Sequence, residues 1–205
     1  MKNHRLCTGF FAIIIMAFVT GCHMHMLDGN GKIVSEERTV GGRFTGVVLE
    51  GIGKVDIHPG ETYRGQEYAV IVTTDSNIQH IVAITTESSN VCIDERDRHS
   101  FNPTKLKFDV YLPELRNISL SGVGDIKVGS GSVTNLTISL SGVGDISAHN
   151  FQAQTVDVNL SGTGNVKTWA ENVLTGKLSG IGDILYRGNP ARNIKETGIG
   201  RVKHL

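Results

Sequence analysis

The sequence predicts an all-β chain: a single-domain, right-handed β-helix-like solenoid built from 18–20-residue repeats. Three observations predict it. First, LSGVGDI stands twice unchanged, at Leu120–Ile126 and Leu140–Ile146. It returns as LSGTGNV (Leu160–Val166), LSGIGDI (Leu178–Ile184) and a worn ETGIGRV (Glu196–Val202). Second, the copies are spaced 20, 20, 18 and 18 residues apart, counted from Ser121 through Ser141, Ser161 and Ser179 to Thr197. Periods of this size belong to coils in which each repeat is one turn. Third, the apolar residues alternate. Ile118, Leu120, Gly122, Gly124, Ile126 and Val128 share one parity, and the later copies repeat it. Period 2 is the strand signature, and no 3.6-residue spacing competes with it.

Each element follows from that frame. Stacked strands lie about 4.8 Å apart, so Leu120, Leu140, Leu160 and Leu178 form one internal ladder. Ile126, Ile146, Val166 and Ile184 form another. The glycine pair between them falls on the inward parity, where the wall turns or pinches without a side chain. An early copy, VVLEGIGKVDI (Val47–Ile57), places a rung before the main array. Segments such as GSGSVTNL (Gly129–Leu136) and HNFQAQTV (His149–Val156) carry turn residues and read as returns to the next rung. Residues 67–113 are less regular but rich in Val, Ile, Thr and Tyr, which predicts wider or hairpin-like rungs continuous with the repeats. RDRHSFNPT (Arg96–Thr104) reads as an exposed loop.

The N-terminus reads as an export signal. Lys2 and Arg5 precede a mainly apolar run of fourteen residues, Leu6 to Val19, shorter than the ~20 residues of a membrane span. The run ends in VTGC (Val19–Cys22), which resembles the bacterial lipobox. That signal is cut before the cysteine, which then carries diacylglycerol and an acyl chain; two or more chains anchor a protein stably. The expected organisation is therefore a lipoprotein signal peptide over 1–21, a lipid-anchored tether over 22–39 with Cys22 lipidated, and one domain over 40–205. Location in a bacterial cell envelope, at the outer membrane, goes with it. Cys7 leaves with the signal and Cys22 carries lipid, so Cys92 alone remains and the domain has no internal disulfide. Removing Lys2 and Arg5 from 20 basic residues leaves 18 against 20 acidic ones, which gives no electrostatic case for nucleic acid. His23, Met24, His25 and Met26 are copper-ligand types, though a plain tether accounts for them without fixed geometry.

LKFDVYLPELRNISLSGVGDIKV, followed by serial S-G-x-G-D-I copies, resembles the putative auto-transporter adhesin head GIN domain family over roughly residues 40–205. The resemblance implies a β-helix-like solenoid behind a lipoprotein or secretion signal, and it brings no catalytic residues with it.

The outward parity carries the candidate chemistry. Asp125, Asp145, Asn165 and Asp183 should stack in a column, with Lys54 at one end and Arg201 at the other. Carboxylates about 5 Å apart repel. Either a cation such as Ca²⁺ relieves them, or each Asp caps its own glycine turn and stays solvated; the second reading requires no cofactor. Val123, Val143, Thr163, Ile181 and Ile199 lie between the two glycines. They are either an exposed contact stripe or are tucked inward by a kink. Gly-x-Gly here is no dinucleotide fingerprint, since a strand and not a helix follows each copy. Sugar hydrolases need two carboxylates at a defined separation, and the repeated acids lack a distinct partner. His58, His80, His99, His149 and His204 fall in no nucleophile–base spacing. The expected function is a non-enzymatic surface binding or adhesion module for a glycan or protein ligand. A structural protein that assembles as a homo-oligomer comes second, and a polysaccharide-acting β-helix enzyme third.

The lipobox generates the first prediction. Cys22→Ser abolishes lipid labelling and moves the protein out of the membrane fraction in high salt without detergent. Retention in that fraction contradicts the lipid anchor.

Overall fold

The computed structural model describes residues 26–96 and 100–205, and over these the chain is all-β apart from one short 3-10 turn, Gln79–Ile81. The strands before the repeats are β1 (Leu27–Asp28), β2 (Ile33–Arg38), β3 (Gly46–Leu49), β4 (Ile52–Pro59), β5 (Ala69–Asp75), β6 (Val82–Glu87), β7 (Asn90–Glu95), β8 (Phe101–Asn102) and β9 (Leu106–Leu112). The repeats supply β10 (Asn117–Leu120), β11 (Val123–Val128), β12 (Gly131–Leu140), β13 (Ile146–Leu160), β14 (Val166–Leu178), β15 (Ile184–Arg187), β16 (Ala191–Glu196) and β17 (Val202–His204). Fifteen of these strands form one sheet, and β1 and β8 form a separate parallel pair.

Both expected ladders are present. Leu49, Leu120, Leu140, Leu160 and Leu178 are in parallel register from β3 through β10, β12 and β13 to β14. Val55, Ile126, Ile146, Val166 and Ile184 are in register along β4, β11, β13, β14 and β15. All ten side chains are buried. Fully burying an aliphatic side chain of this size contributes about 1.5–3 kcal/mol, so these two lines carry much of the core.

One expectation needs correction. The segments read as returns are themselves paired strand: Ser132 and Val133 lie opposite Gln152 and Ala153, and these lie opposite Trp169 and Ala170. Consecutive repeats run parallel along this stretch too, so its amides and carbonyls are satisfied by neighbours, as buried backbone requires. The change from 20- to 18-residue spacing is absorbed here. Ser147 pairs with Lys167, but Gln152 pairs with Trp169 and Thr155 with Val173, with register shifts between these pairs of the kind a bulge produces.

The irregular region extends both ladders at their early end. β7 adds in parallel to β3 and then pairs antiparallel with β6. β9 adds in parallel to β4, then β5 and β2 follow antiparallel. Ser88 and Ser89, with φ of 48° and 64°, make the two-residue turn of the β6–β7 hairpin, where both central residues need positive φ. β2 lies within the stretch assigned to the tether, so pairing into the sheet begins before residue 40. The buried Asp75 fastens that stretch: its carboxylate accepts from the amides of Gly31 at 2.7 Å and Thr104 at 2.8 Å. Burial pushes the Asp75 pKa up, but the amide bonds from Gly31, Thr104 and Lys105 outweigh it and hold the carboxyl below its ordinary range. In the loop read over Arg96–Thr104, Phe101–Asn102 pairs with β1, and residues 97–99 lie outside the described ones.

The glycine pair works differently from its sequence reading. Ser141 and Gly142 both donate to the Leu120 carbonyl, at 2.9 and 3.0 Å, and Val143 donates back to Gly122 O at 2.9 Å. Gly144 donates forward to Thr163 O at 2.9 Å. The hydrogen-bonding direction reverses within two residues, and Gly144 adopts φ 137° to achieve it. A Cβ on Gly142 would fall on the carbonyl oxygen of Gly122, and one on Gly144 on that of Gly124. The obstacle is therefore the backbone of the preceding rung, and not the packed interior that the inward parity suggests.

Gly144→Ala should accordingly destabilise by about 1–3 kcal/mol from the backbone conformation alone, with the carbonyl clash adding to it. Val143→Ser, at an exposed side chain, should stay within about 0.5 kcal/mol. Paired urea denaturation curves check both; a neutral Gly144→Ala contradicts the close backbone approach.

Candidate binding surface

The repeats present three outward columns. Ser121, Ser141, Ser161, Ser179 and Thr197 form the first. Val123, Val143, Thr163, Ile181 and Ile199 form the second, each bridged in parallel to the next. Asp125, Asp145, Asn165, Asp183 and Arg201 form the third. The alternatives left open for the second column are decided: Val123, Val143, Ile181 and Ile199 are 53%, 51%, 52% and 72% exposed. The reversal at each glycine pair turns these side chains to solvent. Between the first two columns, over the last four copies, runs a groove of about 510 Å³ lined also by Gly142, Gly162, Gly180 and Gly198.

The acidic column is a hydrogen-bond relay between rungs. Asp125 Oδ1 accepts from the Asp145 amide at 3.3 Å, and Asp145 Oδ1 from the Asn165 amide at 2.7 Å. Asn165 Oδ1 accepts from the Asp183 amide at 3.0 Å, and Asp183 Oδ1 from the Arg201 amide at 2.8 Å. The capped N–H thus belongs to the next rung and not to the residue's own turn, because in-register stacking brings that amide within reach of the side chain. Asn165 continues the relay without charge and also donates Nδ2 to Asp145 at 3.1 Å, which separates the Asp145 and Asp183 carboxylates. Lys54 lies 3.7 Å from Asp125 and Lys203 lies 2.6 Å from Asp183, so cations bracket the column. Among the described residues, no three His, Cys, Asp or Glu side chains gather where a metal ion could be held. Cys22 lies outside the described residues, as do His23 to His25.

A second surface was not found by sequence reasoning. KVDIH (Lys54–His58) and KFDVY (Lys107–Tyr111) stand side by side on β4 and β9, with Asp56 opposite Asp109 and His58 opposite Tyr111. Lys107 Nζ lies 3.0 Å from Asp56 and 2.8 Å from Asp109. The Asp109 hydrogen bond, with help from Asp56 and against burial, raises the Lys107 pKa. His58 Nε2 is 3.1 Å from Asp109, and its ring stacks on Tyr111 at 4.5 Å with Tyr63 beside it. The shared order of lysine, aspartate and aromatic at alternate positions was the available signal. His149 bonds the Ser147 hydroxyl at 2.8 Å. Burial, then Arg187 and two lysines, lower its pKa.

A further groove, of about 610 Å³, crosses β12, β13 and β14. Glu114, Ser132, Gln152, Gln154, Glu171 and Asn172 line it, and Gln152 Nε2 donates to Glu171 at 2.6 Å. Its walls are mainly hydroxyls, carboxamides and carboxylates, with Val133 as an apolar member.

Residues 119–190 match the family described as putative auto-transporter adhesin, head GIN domain, so the resemblance carried by the S-G-x-G copies holds over that stretch. Among solved structures, a putative adhesin from Bacteroides fragilis is 19% identical with a TM-score of 0.59, over 87% of this chain and 100% of the other. A putative lipid binding protein from Parabacteroides distasonis is 16% identical with a TM-score of 0.47, over 86% and 99%. The first of these likenesses shows a shared fold. No curated protein matches the chain.

The column has a titration signature. The Lys203 hydrogen bond first, and the Arg201 amide next, hold the Asp183 carboxyl below its ordinary value of 3.8. A depressed folded-state pKa stabilises the fold above the unfolded value, and that contribution is lost as pH falls through the folded one. Lys203→Gln should raise the Asp183 pKa and bring the acid loosening of the last rung to higher pH. Carboxyl NMR titration of both forms measures it; an unchanged Asp183 contradicts the pairing.

Proposed function

We propose that this chain is a bacterial envelope lipoprotein, held at the outer membrane through Cys22, whose right-handed β-helix-like solenoid acts as a non-enzymatic adhesion module. The signal occupies 1–21, and a short tether links Cys22 to the first paired strands. No helix among the described residues is long and apolar enough to cross a membrane, and a lipid anchor supplies attachment without one. The adhesin family match over 119–190 supports the adhesion role.

The observation that carries the binding reading is the polar groove of Gln152, Gln154, Glu171 and Asn172. Closely spaced amide donors and carboxylate acceptors match the hydroxyl edges of a sugar, and a groove across several rungs suits an extended chain. A glycan is therefore the ligand class. A structural, self-assembling role is the second reading, favoured by the exposed aliphatic column.

Cells displaying the full chain should be retained on an array of immobilised glycans, and the paired change Gln152→Ala with Glu171→Ala should abolish retention without removing the protein from the membrane fraction. Retention equal to that of cells lacking the chain contradicts the proposal.

A further inference from the structure

We infer that two copies of this chain pack through the first and second columns, side by side, about a two-fold axis running along the columns. This rests on the geometry of the repeats and not on the glycan reading, which uses another face.

The surface is self-complementary in shape. A ridge of exposed side chains, Val123, Val143, Thr163, Ile181 and Ile199, aliphatic at all but Thr163, lies beside a groove of about 510 Å³ that runs from the Gly142 rung to the Gly198 rung. A two-fold axis between ridge and groove sets each ridge into the partner's groove. Every rung meets the same rung of the other copy, so the repeats stay in step along the whole contact, as identical ladders do when they interdigitate. Such an isologous contact closes at two copies. Exposed apolar stripes mark interaction surfaces.

Polar chemistry selects the same arrangement. The axis along the columns sets Asp125 opposite the partner's Ser121, Asp145 opposite the partner's Ser141 and Asp183 opposite the partner's Ser179. At the Asp145 rung a hydroxyl donor then faces a carboxylate acceptor, whereas Ser121 Oγ donates to the Leu49 carbonyl and Lys203 holds the second oxygen of Asp183. Asp145 makes its rung contacts through Oδ1 alone, so its second oxygen can accept the hydroxyl. An axis across the columns instead sets Asp125 against the partner's Asp183 and Lys54 against the partner's Arg201. Facing like charges oppose that arrangement. A second copy supplies both the groove that receives the ridge and a serine hydroxyl for the second oxygen of Asp145, which a generic apolar partner does not.

The test uses the full chain in cells. Two tagged copies are co-expressed, one with Ser141→Cys and one with Asp145→Cys, and joined by mild oxidation or a short thiol crosslinker. The expected result is a mixed dimer band for this pair, no such band for Ser141→Cys with Asp183→Cys, and loss of the band when both copies also carry Val143→Lys and Ile181→Lys. Those two positions are exposed, so an unchanged melting midpoint confirms that the lysine variants fold. Overturning results are equal bands for matched and mismatched pairs, a matched band that survives the lysines, or no band while a linear polysaccharide shields Ser141→Cys from a thiol reagent.

Discussion

The structure depends on one close approach: the backbone of each S-G-x-G corner lies directly on the glycines of the corner before it. Gly142 and Gly144 have room for hydrogen and nothing larger against Gly122 and Gly124. Because the backbones approach so closely, Leu120 O receives two amides and Gly122 O a third from the next rung. The same φ near 137° at Gly144 re-aims the chain so that aliphatic residues point outward at the corner and inward again at Ile146. Core ladders, exposed ridge and acidic relay therefore share one cause, and a side chain at either glycine would disturb all three.

The relay shows how a repeated charge becomes tolerable. Stacked carboxylates repel, yet each is aimed at an amide one rung ahead, and a hydrogen bond to a charged acceptor is stronger than a neutral one. Asn165 interrupts the charge without interrupting the bonding, and Lys54 and Lys203 sit at its ends. Neutralisation is thus distributed along the column through the backbone itself.

Much of this was legible in the sequence because a strict period makes neighbours of residues 18 or 20 apart. Leu140 over Leu120 and Ile146 over Ile126 need no more than counting. What the period could not show is how amides are shared. Val133, Ala153 and Ala170 sit among turn-forming residues, and only their alignment with one another makes them strand. The antiparallel strands β2, β5 and β6 repeat nothing, so their partners could not be counted. Asp75, the buried carboxylate that fastens residues 27–38, looks on paper like any acid at a strand end. Asp56 and Asp109 were visible singly, but their convergence on Lys107 needed the register of β4 on β9.

Amide hydrogen exchange at the column between the glycines tests the central claim most directly. Val143, Thr163 and Ile181 carry side chains in solvent, but their amides are bonded to glycine carbonyls of the preceding rung. The close-approach account predicts that these amides exchange as slowly as those of the buried strands on either side, opening only with the whole array. Exchange as fast as that of the exposed loops would contradict it.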